Sequence, residues 1–450
     1  MTAHLAEGPD HAASAKDVQS DDEMLDRLQR TAFDYFLQCT NPDNGLVADT
    51  TRDGAPSSIA VVGFALSATP IGVEHGWIER SDAVKRVLAS LNFFMASDQS
   101  GSAGATGYHG FYFHFLDMKR GTRVWRCELS PIDTTILIAG MLSAGAYFDA
   151  DTPEETELRR LADALYERVD WLWMQNDGVT VMQGWKPECG FLHYGWEGYS
   201  EALLLYALGL GSPTHALTEQ SFHAWTMTYQ WEHLYGTDFL YAGPLFIHQF
   251  SHAWIDFRGI RDAFMREKDC DYFENSRRAT YIQRAYAILN PRSFVGYDAE
   301  HWGLSAGDGP SGDTRQVAGR QQTFYGYAAR GVPYGPDDGT VSGSSITSSL
   351  VFAPEIVLPA LRALQADGTA QDRDFIHASG FNATLGHSPG KAWTTTDIFG
   401  LDQGMIVLMI ENYRSGLPWR LMKRLPCIRD GLHRASFRGS WLKHRSGAHP

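Results

Sequence analysis

Gly195-Trp196-Glu197-Gly198-Tyr199-Ser200-Glu201-Ala202 runs directly into Leu203-Leu204-Leu205-Tyr206-Ala207-Leu208-Gly209-Leu210. The second half is apolar on every side, and a helix of that kind belongs inside a molecule. The first half is a glycine-broken entry holding two carboxylates and two aromatics. Glycine lets backbone approach a ligand closely, aromatic faces lie against sugar rings, and a Glu among apolar neighbours has a raised pKa. A general acid is made in this way. The plainer account is a helix N-terminus whose acids satisfy the dipole, and it fits Glu197 better than Glu201.

Outward from this stretch the chain alternates very apolar and amphipathic helical patterns. Residues 24–39 carry Leu25, Leu28, Phe33, Phe36 and Leu37 on one side and stop at Asn41-Pro42-Asp43-Asn44-Gly45. Residues 57–74 are nearly all apolar, and 81–98 are mixed. Phe111, Phe113 and Phe115 then alternate ahead of Arg120-Gly121-Thr122, which predicts a small β-hairpin within 108–128. Helical patterns resume over 130–148, 153–175, 199–210, 213–234, 244–268, 273–289, 349–364 and 399–413. The Gly-, Asp- and Tyr-rich tract 290–344 is long for a structureless loop and reads as a covering segment. Roughly a dozen helices in alternation predict an all-α fold, the inner and outer walls of a closed helical barrel. The expected organisation is an arm over 1–22, one domain over 23–422 and a basic tail over 423–450, read as solvated.

The chain has 450 residues and a net charge of -15, which disfavours nucleic acid as a partner. Its five cysteines (Cys39, Cys127, Cys189, Cys270 and Cys427) are scattered, with no metal spacing and no disulfide framework. The residues through Asp22 lack a basic start and a long apolar run, so no signal peptide is legible. No apolar run reaches membrane-spanning length, so no membrane partner is expected, and the chain reads as a monomer. No cofactor is called for, although Asp337 and Asp338 before Gly339 raise a structural cation as an alternative to a simple turn.

Three further clusters carry candidate chemistry. Trp125-Arg126-Cys127-Glu128-Leu129-Ser130-Pro131-Ile132-Asp133 places Glu128 and Asp133 across a strand-to-helix junction. Ser130 and Pro131 suit a helix start, so capping explains Asp133 without catalysis but leaves Glu128 unexplained. Arg126 suits a polar site, with a salt bridge to either acid as the competing account. His248, His252 and Asp256 recur at helical spacing on one face. Substrate hydrogen bonding or a satisfied buried network is preferred there to zinc, since the familiar Glu beside the first His is missing. Glu355, Asp402 and Glu411 stand on apolar helical backgrounds near glycines, facing a cavity or holding neighbouring loops.

Several of these motifs resemble the glycoamylase-like family. They are Cys127-Glu128-Leu129-Ser130-Pro131-Ile132-Asp133-Thr134, Gly198-Tyr199-Ser200-Glu201-Ala202 with Gly211-Ser212-Pro213-Thr214-His215, and His248 through Gly259. Trp302-Gly303-Leu304-Ser305-Ala306, Phe352-Ala353-Pro354-Glu355 and Leu401-Asp402-Gln403-Gly404 with Ile410-Glu411-Asn412-Tyr413 follow in order. The resemblance implies a single (α/α)6 toroid with long loops over its cleft, and a bacterial hydrolase of β-1,2-linked glucan similar to the endo-β-1,2-glucanases. It implies Glu201 as proton donor, Glu128 and Asp133 as the facing acidic pair, and no metal. The implied substrate-binding set is Arg126, Trp196, Tyr199, His248, His252, Trp254, Asp256, Trp302, Asp402 and Gln403. Endo cutting with inversion to short β-1,2-gluco-oligosaccharides is expected, with a glucan transglycosylase, an exo-acting β-glucan hydrolase of the same fold or a non-catalytic glucan binder as alternatives. Asn382 stands where the family usually shows an acid, and residues 308–336 depart from the pattern, which bears on endo or exo cutting. The family's usual periplasmic or secreted location finds no leader in this sequence, so the compartment is left open.

Overall fold

The computed structural model describes residues 20–442 apart from 311, 318, 373 and 386–390. The predicted arm therefore lies, up to residue 19, outside the described residues. The helices are α1 (Asp21–Gln38), α2 (Ile59–Glu74), α3 (Arg80–Ala96), α4 (Pro131–Tyr147), α5 (Pro153–Glu167), α6 (Leu203–Gly211), α7 (Glu219–Thr226), α8 (Leu245–Gln249), α9 (Ala263–Glu267), α10 (Tyr272–Leu289), α11 (Gly343–Ser348), α12 (Pro354–Gln371), α13 (Gly400–Arg414), α14 (Leu417–Arg424) and α15 (Pro426–Arg434).

Composition sorts them into two layers. α2, α4, α6 and α13 are buried around almost their whole circumference, while α1 and α5 bury one face and carry their charges outward. Among the described residues α2, α4, α6, α8, α11 and α13 form an inner ring inside α1, α3, α5, α7, α10 and α12. The result is an (α/α)6 toroid. Contact of α13 with α2 closes the ring, and α1 lies across that joint. Two glycines bring α2 and α4 together: a Cβ on Gly63 would meet the Ile136 carbonyl at 2.3 Å, and one on Gly140 the Gly63 carbonyl at 2.1 Å. Ser251 ties α6 to the segment after α8, accepting from the Leu204 N–H (3.1 Å) and donating to the Glu201 carbonyl (2.9 Å).

Sheets are small and peripheral. Gly107–Tyr108 pairs with Phe111–Tyr112, and Phe115–Leu116 pairs with Ser57–Ser58 at the entry to α2. The predicted hairpin is thus split between two partners. Residues 290–342 do cover one face: Ala306–Gly307 pairs with Ala328–Ala329, and Thr314–Val317 with Arg320–Thr323.

Three expectations need correction, whereas at Asp337 and Asp338 the turn reading holds over the cation alternative, their carboxylates accepting from the Gly339 and Thr340 N–H groups (3.1 Å each). The helix expected over 213–234 ends at Thr226, and Trp231–Leu234 pairs instead with Thr237–Leu240 through a Tyr235-Gly236 turn. The helix expected over 244–268 ends with α8 at Gln249, tightens into a 3-10 turn over Phe250–Ala253 and resumes only at α9; in the loop between, Asp256 accepts from the Arg258 N–H and guanidinium. Asp337 and Asp338 make no cation site. Asp337 accepts from the Tyr286 and Tyr297 hydroxyls (2.6 and 2.7 Å), and Asp338 forms a fully buried pair with Arg330 (2.7 Å).

The basic tail is docked rather than solvated up to residue 442. Lys423 reaches Asp256 (2.6 Å), Trp441 donates to the Asp256 carbonyl (2.8 Å), and α15 packs on α6. Charge complementarity with the acidic body and an apolar face of Ile428 and Leu432 account for the docking.

Candidate active site

The N-terminal ends of the inner helices converge on one cavity of about 660 Å³. Its walls include the starts of α4 (Ser130, Asp133), α8 (Phe246), α11 (Ser344) and α13 (Leu401, Asp402), with Glu201 just ahead of α6. Five carboxylates, Asp49, Glu128, Asp133, Glu201 and Asp402, line it together with His114. Helix N-termini favour negative charge, so this is where the fold can gather acids.

Local sequence positions each one. Ser130 caps α4, accepting from the Asp133 N–H (3.2 Å) and donating to Asp133 Oδ2 (2.5 Å). The capping account of Asp133 therefore holds, and the same residue also faces the cavity. Glu201 lies one residue before the N-cap Ala202, whereas Glu197 is exposed and lies five residues before that cap. Asp402 sits in the first turn of α13 and accepts from Ser344 Oγ (2.7 Å). Glu128 is held by backbone pairing of its carbonyl with the His114 N–H (3.0 Å). Asp49 is fixed by its carbonyl on the Gly400 N–H (2.9 Å).

These similar groups are driven apart in acidity by their surroundings. Burial pushes Glu201 up to about 7, with the Asp133 charge adding to it. Burial likewise raises Asp402 and Asp49 to about 6. Burial alone would depress His114, but Asp133, Glu128 and Asp49 overturn it and hold the imidazolium up to about 9. His114 Nδ1 lies 3.0 Å from Glu128 and Nε2 3.7 Å from Asp133. Burial would raise Glu128 too, yet His114 keeps it below the usual range. At mildly acidic pH, below the point near 7 where Glu201 ionises, the cavity thus combines a protonated Glu201 with an ionised Glu128. Among the described residues no group of three or more His, Cys, Asp or Glu is arranged to hold a metal ion.

Of the residues expected from sequence, Glu201, Glu128, Asp133, Asp402 and Trp196 meet in this cavity. The others do not line it. Arg126 points outward with its side chain 80% exposed and approaches Glu188 (3.7 Å) rather than Glu128 or Asp133. Tyr199 packs behind the wall with Tyr229, Tyr272 and His248. His248 and His252 are buried structural groups, bonded to the Ala242 carbonyl (3.1 Å) and Ser276 Oγ (3.1 Å); burial lowers them to about 4 and about 3. Trp254 is fully buried and donates to Ser67 of α2 (2.9 Å). Asp256 is consumed by Arg258 and Lys423. Trp302 is fully buried, and Gln403 pairs with His377 (2.8 Å). Glu355 bonds Arg277 at the surface, and Glu411 bonds Gln29 and His75. Asn382 anchors a loop, donating to the Asp338 carbonyl (2.9 Å) and accepting from the Thr384 and Leu385 N–H groups (2.9 Å each).

Sequence reasoning missed His114, Asp49, Gln249, Tyr327 and the serines of α11. His114 follows the buried Phe113, but its ring stacks on that of Phe115 (3.9 Å, 14°) and both line the cavity, so simple alternation did not single it out. Ser344, Ser345 and Ser348 sit on one side of α11, but a serine-rich stretch after glycines reads as loop.

Comparison with known proteins bears on what this cavity does. Residues 193–426 match the Glycoamylase family model, described as "Putative glucoamylase". The chain is 24% identical over 453 residues to the exo β-1,2-glucooligosaccharide sophorohydrolase (non-reducing end) of Parabacteroides distasonis. That alignment covers 92% of this chain and 58% of the relative, so the chain spans little more than half of the relative's length. A crystal structure from Bacteroides uniformis carrying the same family description superposes with a TM-score of 0.84 at 28% identity, covering 95% of this chain and 100% of that one. The endo-β-1,2-glucanase of Chitinophaga pinensis, in complex with sophorotriose and glucose, superposes with a TM-score of 0.79 at 25% identity over 94% and 100% of the two chains.

Proposed function

The chain belongs to the Glycoamylase family, and from that premise we propose that it is a glycoside hydrolase that cuts β-1,2-linked glucan into short β-1,2-gluco-oligosaccharides. The observation that carries the reading is Glu201, a carboxyl raised to about 7 by burial, in one cavity with acids that ionise below it. Two groups of one chemical type pushed apart in acidity are what acid and base assignments require. The choice of β-1,2 linkage is supported by the named activities of the Parabacteroides and Chitinophaga relatives.

In this mechanism the Glu201 carboxyl gives its proton to the glycosidic oxygen as the C1–O bond breaks. The Glu128 and Asp133 side accepts the proton of a water that attacks C1. Glu201 is left as a carboxylate, and proton exchange with solvent restores both groups. His114 holds Glu128 ionised for that task. Asp402 and Ser344 offer acceptors and donors to sugar hydroxyls, and Trp196 an apolar face. Endo cutting with inversion belongs to this reading, since an inverting pair needs room for a water between its carboxyls.

The test is incubation with linear β-1,2-glucan beside β-1,3-, β-1,4- and α-1,4-glucans, following reducing ends, product size and the anomer first released. Cleavage of the β-1,2 polymer to mixed short oligomers supports the proposal. Release of disaccharide alone from chain ends replaces endo by exo, and a retained anomer replaces inversion by a covalent route. Glucan retention without new reducing ends, or Glu201→Gln with undiminished hydrolysis, refutes the catalytic assignment.

A further inference from the structure

We propose that Tyr235, Tyr241 and Tyr334 form a second glucan-binding platform on the rim, outside the cavity and continuous with it. None of the three lines the cavity. Tyr241 lies five residues ahead of Phe246, which does line it, and the Phe246 N–H donates to Ser305 Oγ (3.2 Å) of the cavity wall. Tyr334 sits on a segment pinned beside that wall. The Val332 N–H donates to the Gly243 carbonyl (3.2 Å), the Gly331 N–H to the Pro336 carbonyl (3.1 Å) and the Arg330 N–H to the Ser305 carbonyl (3.1 Å).

The three rings are presented rather than buried. Tyr334 is 67% exposed, and its ring centre lies 5.5 Å from that of the half-buried Tyr241 at 59°. Together they form an open corner. Tyr235 is 39% exposed at the tip of its hairpin, where the two-residue turn gives it φ +50° and Gly236 φ +79°. Asn is the residue at ease there, and an aromatic side chain is strained. Local backbone preference therefore does not explain Tyr235, and its ring must be accounted for by what it meets. The Tyr235 ring meets that of Tyr286 (6.5 Å between centres, 64°), whose hydroxyl donates to Asp337 (2.6 Å), three residues beyond Tyr334, and this brings the hairpin tip to the Tyr334 segment.

The chemistry points to a neutral sugar chain. Exposed rings set at an angle offer stacking faces to successive pyranoses, and their phenols both donate and accept towards sugar hydroxyls. The chain's net charge of -15 disfavours an anionic ligand. A glucan reaching out of the cavity would cross this corner. The inference rests on the proposed substrate for the identity of the sugar, but not for the existence of the platform.

The experiment compares Glu201→Gln with the same chain carrying Tyr235→Asn and Tyr334→Ala. Asn relieves the turn, so this variant should fold as well as its parent, checked by thermal melting. Affinity is measured for linear β-1,2-glucan polymer and for β-1,2-linked glucotriose. Two lost stacking contacts should weaken the polymer about tenfold while glucotriose changes less than about twofold. Unchanged polymer affinity overturns the platform, and so does equal loss for both ligands, which would place the tyrosines within the cavity's own site. Should the wild type leave β-1,2-glucan uncut, the proposed function fails separately. The same variants are then tested by gel retardation in β-1,3-, β-1,4- and α-1,4-glucans. Retardation lost with the tyrosines upholds the platform, and none on any glucan overturns it.

Discussion

Replacing Glu201 by Gln should stabilise the folded protein at high pH while removing its activity. In the unfolded chain the carboxyl ionises near 4.5, and in the cavity near 7. Below pH 4.5 it is protonated in both states and contributes nothing. Between 4.5 and 7 the unfolded state gives up the proton first, so folding is penalised increasingly as pH rises. Above 7 the penalty is constant. A difference of about 2.5 pH units at 1.36 kcal/mol each amounts to about 3 kcal/mol, an upper figure because cavity water screens part of it. Glutamine keeps the shape and cannot ionise. The melting temperatures of wild type and Glu201→Gln should coincide near pH 4, separate through pH 5 to 7 and stay apart at pH 8, with the variant higher. A difference independent of pH, or a variant less stable at pH 8, would refute the claim that Glu201 is a desolvated carboxyl. The general-acid assignment would then lose its physical basis.

Hydrolysis should fall as pH rises through about 7, where Glu201 loses its proton; a rate that stays flat to pH 9 would count against Glu201 as acid. His114→Asn removes the imidazolium 3.0 Å from Glu128, so burial takes over and the acid limb of kcat/KM should move up by about one pH unit or more. His114 has a folded pKa raised to about 9 from 6.5, so its charge stabilises the fold fully below pH 6.5 and progressively less up to about 9. The stability gap between wild type and this variant should narrow over that window. Gly431→Ala would drive a Cβ to 1.8 Å from the Ala207 carbonyl of α6, and a loss of about 1–3 kcal/mol, read as a lower melting temperature, should follow.

The toroid was legible because its two kinds of helix differ in composition: the inner α2 and α6 are apolar all round, and the outer α1 and α5 on one side only. Periodicity reports whether a helix is buried, and that suffices to sort layers. It fails where tertiary contacts decide. Trp231–Leu240 became a hairpin through a strained Tyr235-Gly236 turn with no Asn-Gly signal, and the pattern over 244–268 broke into α8, a 3-10 turn and α9. Among site residues, Asp133 was readable as a helix cap and Asp402 as an acid on an apolar helical background near glycines, and both stand in first turns. His248, His252 and Trp254 looked equally well placed, but helical spacing gives a shared face without saying whether that face meets water or core. His114 and Asp49 come from segments remote in sequence from the acids they act on. Such pairings exist only after the chain has folded.

The convergence of helix starts explains how so many acids share one cavity, but not why they differ. Asp133 and Asp402 lie in first turns and Glu201 just ahead of one, so the field of the helix ends favours the ionised form of each. Burial opposes it. What decides between the two is the partner each acid meets. Asp402 has a serine hydroxyl, which leaves burial partly offset, and titrates at about 6. Glu128 has an imidazolium, and burial loses. Glu201 has no cation among the causes acting on it, only burial and the repulsion of Asp133 against its own backbone N–H, and burial wins. The cation that makes this distinction comes from the strand segment at residue 114, which the α2 entry pairs onto the ring through the Ile59 N–H and the His114 carbonyl (3.2 Å). The helical ring supplies the acids, and the peripheral strand supplies the main charge that separates an acceptor of protons from a donor, with Lys186 adding to it. A toroid that kept its helices and lost this strand contact would still hold its acids at one mouth, but burial would then push Glu128 up as it does Glu201 and Asp402, and the division of roles would disappear.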